Sequence, residues 1–135
     1  MTSGERPLPD LSEPDTGAFW QAAQDGRLTY QVCSDCEQVV FYPRAHCAHC
    51  GSHDLRVLNS AGHGRVYSYT VIRHTYDPAF RGDVPYIVAL VDLAEGFRLL
   101  THLRAEPEAA VVGGPVKLEW MTRDGVRLPV FEPDS

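Results

Sequence analysis

Apolar and polar positions change rhythm twice along the chain. From Ser12 to Gly26 small and aromatic residues recur at helical spacing, with Ala18, Phe19, Ala22 and Ala23 on one expected face. Ser12 with Asp15 three residues on, Pro14 in a first turn and Gly26 at the end supply start and stop signals for that helix. From Leu28 the rhythm becomes that of short strands. Leu28 to Val32 leads into Cys33, Val39 to Phe41 leads back from Cys36 until Pro43 stops it, and Leu55 to Leu58 leads away from a second cysteine pair. Gly62 and Gly64 then mark a bend, a plausible hinge between two subdomains.

Beyond the bend the pattern is strand after strand. Gly64 to His74 is rich in Val, Tyr, Thr and Ile, and Pro85 to Leu93 is apolar at successive positions, as in a strand covered on both faces. Phe97, Leu99, Thr101 and Leu103 alternate with Arg98, His102 and Arg104, and Leu100 breaks the alternation. Val116, Leu118 and Trp120 alternate with Lys117 and Glu119, and Asp124-Gly125 is a hairpin turn leading to Val126 to Phe131. A small antiparallel sheet of five strands removes its edges by closing, and a five-stranded, partly open barrel is the OB-fold.

Cys33-x2-Cys36, ten residues, then Cys47-x2-Cys50 is the arrangement in which two tight turns each aim two thiolates at one ion. Zinc takes four such ligands at tetrahedral corners, and the segment between the pairs is long enough for a strand and a turn that bring the second pair over the first, as in a zinc ribbon. With every corner filled by protein, the expected ion is a single structural zinc that contributes to folding and leaves no open position for water. An iron centre of rubredoxin type uses the same four ligands and would be told apart by its red colour. His46 and His49 flank the ligands and are expected to support them from outside. The expected architecture is therefore mainly β: an N-terminal helix plus zinc ribbon over residues 12–61, preceded by a flexible tail 1–11 and followed by a five-stranded OB-fold barrel over 62–135.

Composition narrows the function classes. Of 135 residues 44% are apolar and 22% charged, and no apolar run approaches the ~20 residues a bilayer span requires, so no membrane partner is expected. The first residues lack a basic and then apolar leader, and four cysteines gathered within residues 33–50 suit a reducing compartment, so the expectation is cytoplasmic. A net charge of -6, with Arg and Lys scattered singly, argues against a nucleic-acid partner. That class is still the alternative, since OB-folds bind single strands and Tyr67, Tyr69, Tyr86 and Trp120 offer stacking surfaces.

Several short pieces recur in one order. They are Phe19-Trp20, Gly26-Arg27-Leu28, Phe41-Tyr42-Pro43-Arg44, Cys47-x2-Cys50-Gly51-Ser52, Gly62-x-Gly64, Pro85-Tyr86 with Ala89 and Val91, Gly96, and Gly114 before Val116. In that order the chain resembles the acyl-CoA-associated OB-fold family with an N-terminal rubredoxin-like zinc ribbon, long catalogued as a domain of unknown function. The resemblance implies a subunit without catalysis of its own. Such proteins accompany thiolase-like condensing enzymes, thiolase-like aldolases that cleave steroid side chains, and hydratases acting on acyl-CoA. It further implies that the barrel docks on the partner enzyme and helps position or channel the acyl-CoA, with self-association inside the complex left open. The chain departs from the family pattern at Glu37, where Gly is common after the second cysteine, and at Tyr42-Pro43-Arg44, where Pro-Pro-Arg is common.

No other motif announces chemistry. His74 with Asp77, His102 and His63 are the candidate catalytic groups, and none belongs to a nucleophile-and-base arrangement, so no catalytic residue is expected. Phe19 and Trp20 on the helix are candidate partner contacts. So are Arg73, Tyr76, Phe80 and Arg81 in and beside the irregular segment from Thr75 to Val84, because aromatics and arginine dominate interface energies; that segment is also the candidate contact for CoA.

Overall fold

The computed structural model describes residues 8–134; the expected tail lies largely outside them. One helix, α1 (Gly17–Gln24), precedes eight strands: β1 (Thr29–Cys33), β2 (Val39–Val40), β3 (Leu55–Asn59), β4 (His63–Ile72), β5 (Tyr86–Leu93), β6 (Arg98–Leu103), β7 (Pro115–Arg123) and β8 (Val126–Pro133). The first three strands form a small sheet in the order β2-β1-β3, and the last five close into a barrel in the order β4-β5-β6-β8-β7. The architecture is an OB-fold barrel preceded by a helix and a ribbon, as the strand rhythm predicts.

The helix begins later than its sequence signals suggest. Ser12 turns its backbone N–H and hydroxyl to the Asp10 carboxylate, while Glu13 accepts from the backbone of Asp15 and from both the backbone and hydroxyl of Thr16. These local bonds hold residues 10–16 in turns, an alternative to helix that short polar side chains offer. Helical geometry starts at Gly17, whose missing Cβ permits an approach to the Leu11 carbonyl that a side chain would close to 2.7 Å. Ala18 is exposed, and the buried face is Gly17, Phe19, Ala22 and Ala23. Gly26, at φ 76°, ends the helix as expected.

Barrel closure follows from five pairings, with β7 and β8 joined as an antiparallel hairpin. The meander β4-β5-β6 is antiparallel throughout, β7 returns to the start of β4 at His63 to Arg65, and β8 meets β6 in parallel at Leu103 opposite Phe131. Gly64 makes the β4 crossing possible, since a Cβ there would sit 2.5 Å from the Asp92 carbonyl oxygen. A bulge between Val66 and Ser68 leaves Tyr67 half-exposed, with the Arg98 guanidinium 3.5 Å above its ring and Asp92 accepting from Arg98 at 2.6 and 3.3 Å. Asp124 and Gly125 both take positive φ, the geometry of a tight type I′ hairpin. One expectation fails: β5 alternates buried and half-buried residues, so only one of its faces is core. The outer face of a single-layer barrel has no second sheet to cover it, and Val88 and Leu90 are shielded only partly.

The core is continuous from barrel to ribbon. Ile87, Val91, Leu103, Val116 and the fully buried Phe131 fill the barrel, and burial of a side chain of that size contributes roughly 1.5–3 kcal/mol. Phe97 carries the packing outward: its ring stacks on Tyr30 of β1 at 5.0 Å and lies 4.8 Å from Phe41, which in turn meets Phe19 at 5.7 Å. Polar contacts fix the same joint. Glu95 accepts from the Ser60 hydroxyl and the Ala61 N–H, both at 2.8 Å, and the Gln24 side-chain amide pairs with both backbone groups of Arg127 at 2.8 and 3.1 Å. Helix, ribbon and barrel thus meet around one aromatic cluster.

Candidate functional site

The ribbon brings its four cysteines to one point. Cys33 ends β1, Cys36 follows in the turn to β2, and Cys47 and Cys50 belong to a second turn before β3. The two turns share one design. Glu37 N–H donates to the Cys33 carbonyl at 2.9 Å with φ 64°, and Gly51 N–H donates to the Cys47 carbonyl at 3.0 Å with φ 81°. The left-handed residue after each pair turns the chain back so that both sulfurs face the same side.

Sulfur separations match a tetrahedral thiolate site. Cys33 Sγ and Cys50 Sγ lie 3.6 Å apart, Cys36 Sγ and Cys47 Sγ also 3.6 Å, and all four fall within 4.8 Å of one another. Four sulfurs at about 2.3 Å from a central zinc would be about 3.8 Å apart, so the donor set fits that ion without rearrangement. Backbone N–H groups already point at the sulfurs, from Cys36 to Cys33 Sγ at 3.5 Å and from His49 to Cys47 Sγ at 3.3 Å. The Cys36 N–H holds the Cys33 thiol below its ordinary range. Burial works against ionisation of Cys47, but the N–H groups of Cys50 and His49 and the neighbouring sulfurs outweigh it and bring that thiol to about 6. The Gln38 N–H favours the Cys36 thiolate, but burial and the neighbouring sulfurs push that thiol up to about 12, and Cys50 is raised as well, so four thiolates gathered at one point need a dication to hold them ionised together. His46 and His53 pack edge to face at 5.7 Å beside the cluster, and His53 Nδ1 lies 3.3 Å from the Ala45 carbonyl oxygen. These histidines brace the second turn and contribute no sulfur-like donor to the set of four.

On the far side of the joint, an apolar groove of about 330 Å³ runs between α1, the Tyr42-Pro43 turn and the barrel wall. Trp20, Tyr42, Leu100, His102, Met121 and Arg123 line it. Tyr42 and Leu100 are 47% and 55% exposed, and the Leu100 N–H donates to the Tyr42 hydroxyl at 3.1 Å, tying the ribbon's turn to the edge of the groove. A second cavity of about 320 Å³, under the loop between β4 and β5, shares His102, Met121, Arg123 and Val130 with the first.

The candidate contact residues divide between these surfaces. Phe19 is buried, packs into the core cluster at the joint and also lines the groove from beneath. Trp20 lies beside it at 4.9 Å and lines the groove. Pro78–Asp83 forms a 3-10 turn within the irregular segment, capped by Asp77, whose carboxylate accepts from Ala79 N–H at 2.9 Å. Phe80 on that turn packs at 6.2 Å from Tyr86 and 5.4 Å from the Arg123 guanidinium. Arg73, Tyr76 and Arg81 lie on the solvent side, Tyr76 being 86% exposed, with an Arg81 nitrogen 3.4 Å from the Tyr76 carbonyl oxygen. Trp20 therefore lines the first cavity and Tyr86, with Phe80 packed against it, the second, and the shared wall that joins them is not revealed by sequence spacing. Leu100, the break in the β6 alternation, is the sequence signal for the groove.

The candidate catalytic groups are dispersed. The His74 ring packs on Tyr76 at 4.9 Å, His63 Nδ1 lies 3.5 Å from Asp134, and His102 stacks on Tyr86 at 5.2 Å.

Family comparisons agree with this geometry. A model described as "ChsH2, rubredoxin-like zinc ribbon domain" matches residues 20–56, and one described as "ChsH2, C-terminal OB-fold domain" matches residues 59–121. A "Probable enoyl-CoA hydratase alpha subunit" of Thermomonospora curvata is 44% identical over 95% of this chain, which spans only 40% of that relative's length. A "DUF35 domain-containing scaffold protein" of Methanothermobacter thermautotrophicus is 34% identical over 67% of this chain and 69% of its own. Among solved structures, a chain of "Ltp2-ChsH2(DUF35) aldolase" superposes with a TM-score of 0.82 at 41% identity, covering 95% of this chain and 98% of that one.

Proposed function

The chain belongs to the ChsH2 (DUF35) family of zinc-ribbon and OB-fold proteins, and from that premise we propose that it is a non-catalytic accessory subunit. It docks on a thiolase-like enzyme, a condensing enzyme or a steroid side-chain aldolase, and helps position or channel that enzyme's acyl-CoA substrate. The observation that carries this reading is the near-complete match, at 41% identity, to the ChsH2 chain of an aldolase complex. Relatives named as a hydratase alpha subunit and as a thiolase subunit support the acyl-CoA class.

One zinc ion held by Cys33, Cys36, Cys47 and Cys50 is structural in this account. Four protein thiolates leave no position for substrate, and the metal's effect is to fix the two turns that carry β1 and Tyr42 against the barrel. Docking falls to the groove side, where Trp20, Tyr42 and Leu100 give an apolar centre with Arg123 at its margin, the residue types that dominate interface energies. Tyr76, Arg73 and Arg81 extend the contact along the loop, and Phe80 is its inner anchor. This reading places the subunit in the reducing cytoplasm, where cysteines stay unoxidised and available to zinc.

Co-expression with the thiolase-fold enzyme encoded nearest the chain's own gene tests the reading. The expected result is a complex that survives gel filtration, with turnover of an acyl-CoA by the complex and none by the chain alone. Hydrolysis or cleavage of an acyl-CoA by the pure chain, or failure of the folded, zinc-loaded chain to associate, would overturn it.

A further inference from the structure

The four sulfurs of the ribbon are not equally accessible. Cys33 and Cys47 are closed to solvent at 0% and 1% exposure, Cys36 is half-buried, and Cys50 is exposed. The difference follows from where each cysteine sits. Cys33 ends β1, which has a strand on either side, whereas Ala48, His49, Cys50 and Gly51 form an irregular turn whose residues all face solvent. Separations sort the same sulfurs into two pairs, Cys33 with Cys50 and Cys36 with Cys47, each at 3.6 Å. Each pair takes one sulfur from each turn and joins a buried sulfur to a more accessible one. Among grouped cysteines, oxidation falls on the thiolate that a peroxide can reach and is completed by the thiolate beside it.

We propose that Cys50 is a peroxide-sensitive modification site with Cys33 as its resolving partner, so that oxidation closes a disulfide between the two turns and discharges the zinc. In the first step the Cys50 thiolate attacks hydrogen peroxide; an S–O bond forms, the O–O bond breaks and hydroxide leaves, giving the sulfenic acid. The Cys33 thiolate then attacks the Cys50 sulfur; the S–S bond forms, the S–O bond breaks and a second hydroxide leaves. Each sulfur gives up one electron, and both peroxide oxygens end as water once solvent protonates the hydroxides. Zinc, left with two of its four ligands, departs as the divalent ion. A thiol reductant returns the disulfide to two thiols and restores the site.

The oxidation reaches the groove through the segment between the turns. Tyr42 lies between Cys36 and Cys47, the pair that the new disulfide leaves without its metal, and its hydroxyl accepts from the Leu100 N–H on the groove rim. The same segment leans on β1: the Gln31 side-chain amide accepts from the Arg44 N–H at 3.0 Å and donates to the Arg44 carbonyl at 3.2 Å, two residues before Cys33. Zinc loss therefore loosens the wall that Tyr42 supplies, and peroxide weakens docking. That consequence rests on the docking reading given above, whereas the sulfur chemistry does not.

The test treats the zinc-loaded 135-residue chain with increasing hydrogen peroxide. A chromogenic chelator reads zinc release, peptide mass spectrometry after thiol blocking maps the disulfides, and NMR reads amide exchange at Leu100. Roughly one equivalent of peroxide should release the zinc, with Cys33-Cys50 as the first disulfide and faster exchange at the Leu100 amide in step with it; reductant with added zinc should reverse all three. Cys50→His keeps a ligand for zinc and removes the accessible sulfur, so its release should be roughly tenfold slower. Zinc retained under excess peroxide, a first disulfide within either turn, or release from the variant as fast as from the parent chain would each overturn the assignment. Mapping in the parent chain decides the pairing independently of how well the variant loads zinc. Oxidation that leaves Leu100 exchange unchanged would overturn the link to the groove. No enzyme partner is present, so failure of this inference is distinguishable from failure of the docking reading.

Discussion

Replacing Glu37 by Gly should stabilise the ribbon. Glu37 occupies the first cysteine turn at φ 64°, whereas the second turn has Gly51 at φ 81° in the corresponding place. A left-handed residue with a Cβ costs roughly 1–2 kcal/mol, which glycine relieves. Glycine loses more backbone entropy on folding, about 0.5–1 kcal/mol. The substitution also removes the ion pair between Glu37 and Arg56, at 3.8 Å with both side chains largely exposed, and pairs of that kind contribute only about 0–1 kcal/mol. The net expectation is a small gain of about 0.3 kcal/mol, equivalent to about 1 °C in Tm for a chain of this length. Thermal unfolding in excess zinc measures it. Glu37→Ala is the control, since it deletes the ion pair and keeps the Cβ, and the expected order of stability is Gly above Glu, with Ala at or below Glu. Equal stability of the Gly and Ala variants would refute the argument from backbone strain.

Removing zinc with a chelator should raise amide exchange across residues 29–59 while β5 and β6 remain protected, and unchanged exchange in the ribbon would contradict a structural role for the metal. Acidification should promote the same release, because protonation of the thiolates competes with the metal; zinc retention measured against pH should fall as the pH is lowered, and retention that rises on acidification would contradict the assignment. Phe97→Ala should cost about 3–5 kcal/mol in urea unfolding, because its buried ring contacts both Tyr30 and Phe41 at the joint. Gly64→Ala should cost about 1–3 kcal/mol or more, since the new Cβ meets the Asp92 carbonyl oxygen at 2.5 Å and Val91 at 2.9 Å.

Much of the fold was legible because it is written in local periodicity. Each of the eight strands lies within two or three residues of the position its alternation or apolar run suggests, and the Asp124-Gly125 turn adopts the backbone its residue pair demands. Cysteine spacing was sufficient to foresee the cluster, because two-residue spacers restrict where four sulfurs can go. The helix start was misread through competition among short polar side chains. Ser12, Glu13 and Thr16 all carry capping groups, and only the three-dimensional turn reveals that Glu13 gathers the free N–H groups. Barrel closure also hid the exposure of β5, since an apolar run reads alike whether a second layer covers it or not. Least legible was the double cleft. Trp20, Leu100, Tyr86 and Arg123 come from four separate elements, and their meeting depends on how the helix and ribbon seat on the barrel through Phe19, Phe41 and Phe97. Phe19 itself illustrates the difficulty: an aromatic beside Trp20 has the same sequence signature whether it anchors a partner or the chain's own core.

The central claim is that this chain acts by docking its groove on a thiolase-like enzyme. Leu100→Glu tests it most directly, because Leu100 is 55% exposed on the groove rim and its replacement should alter folding stability by no more than about 0.5 kcal/mol. Affinity for the co-expressed enzyme, measured by calorimetry with the chain zinc-replete, should fall at least tenfold with Tm unchanged. Full-strength association of the Leu100→Glu chain would contradict the account.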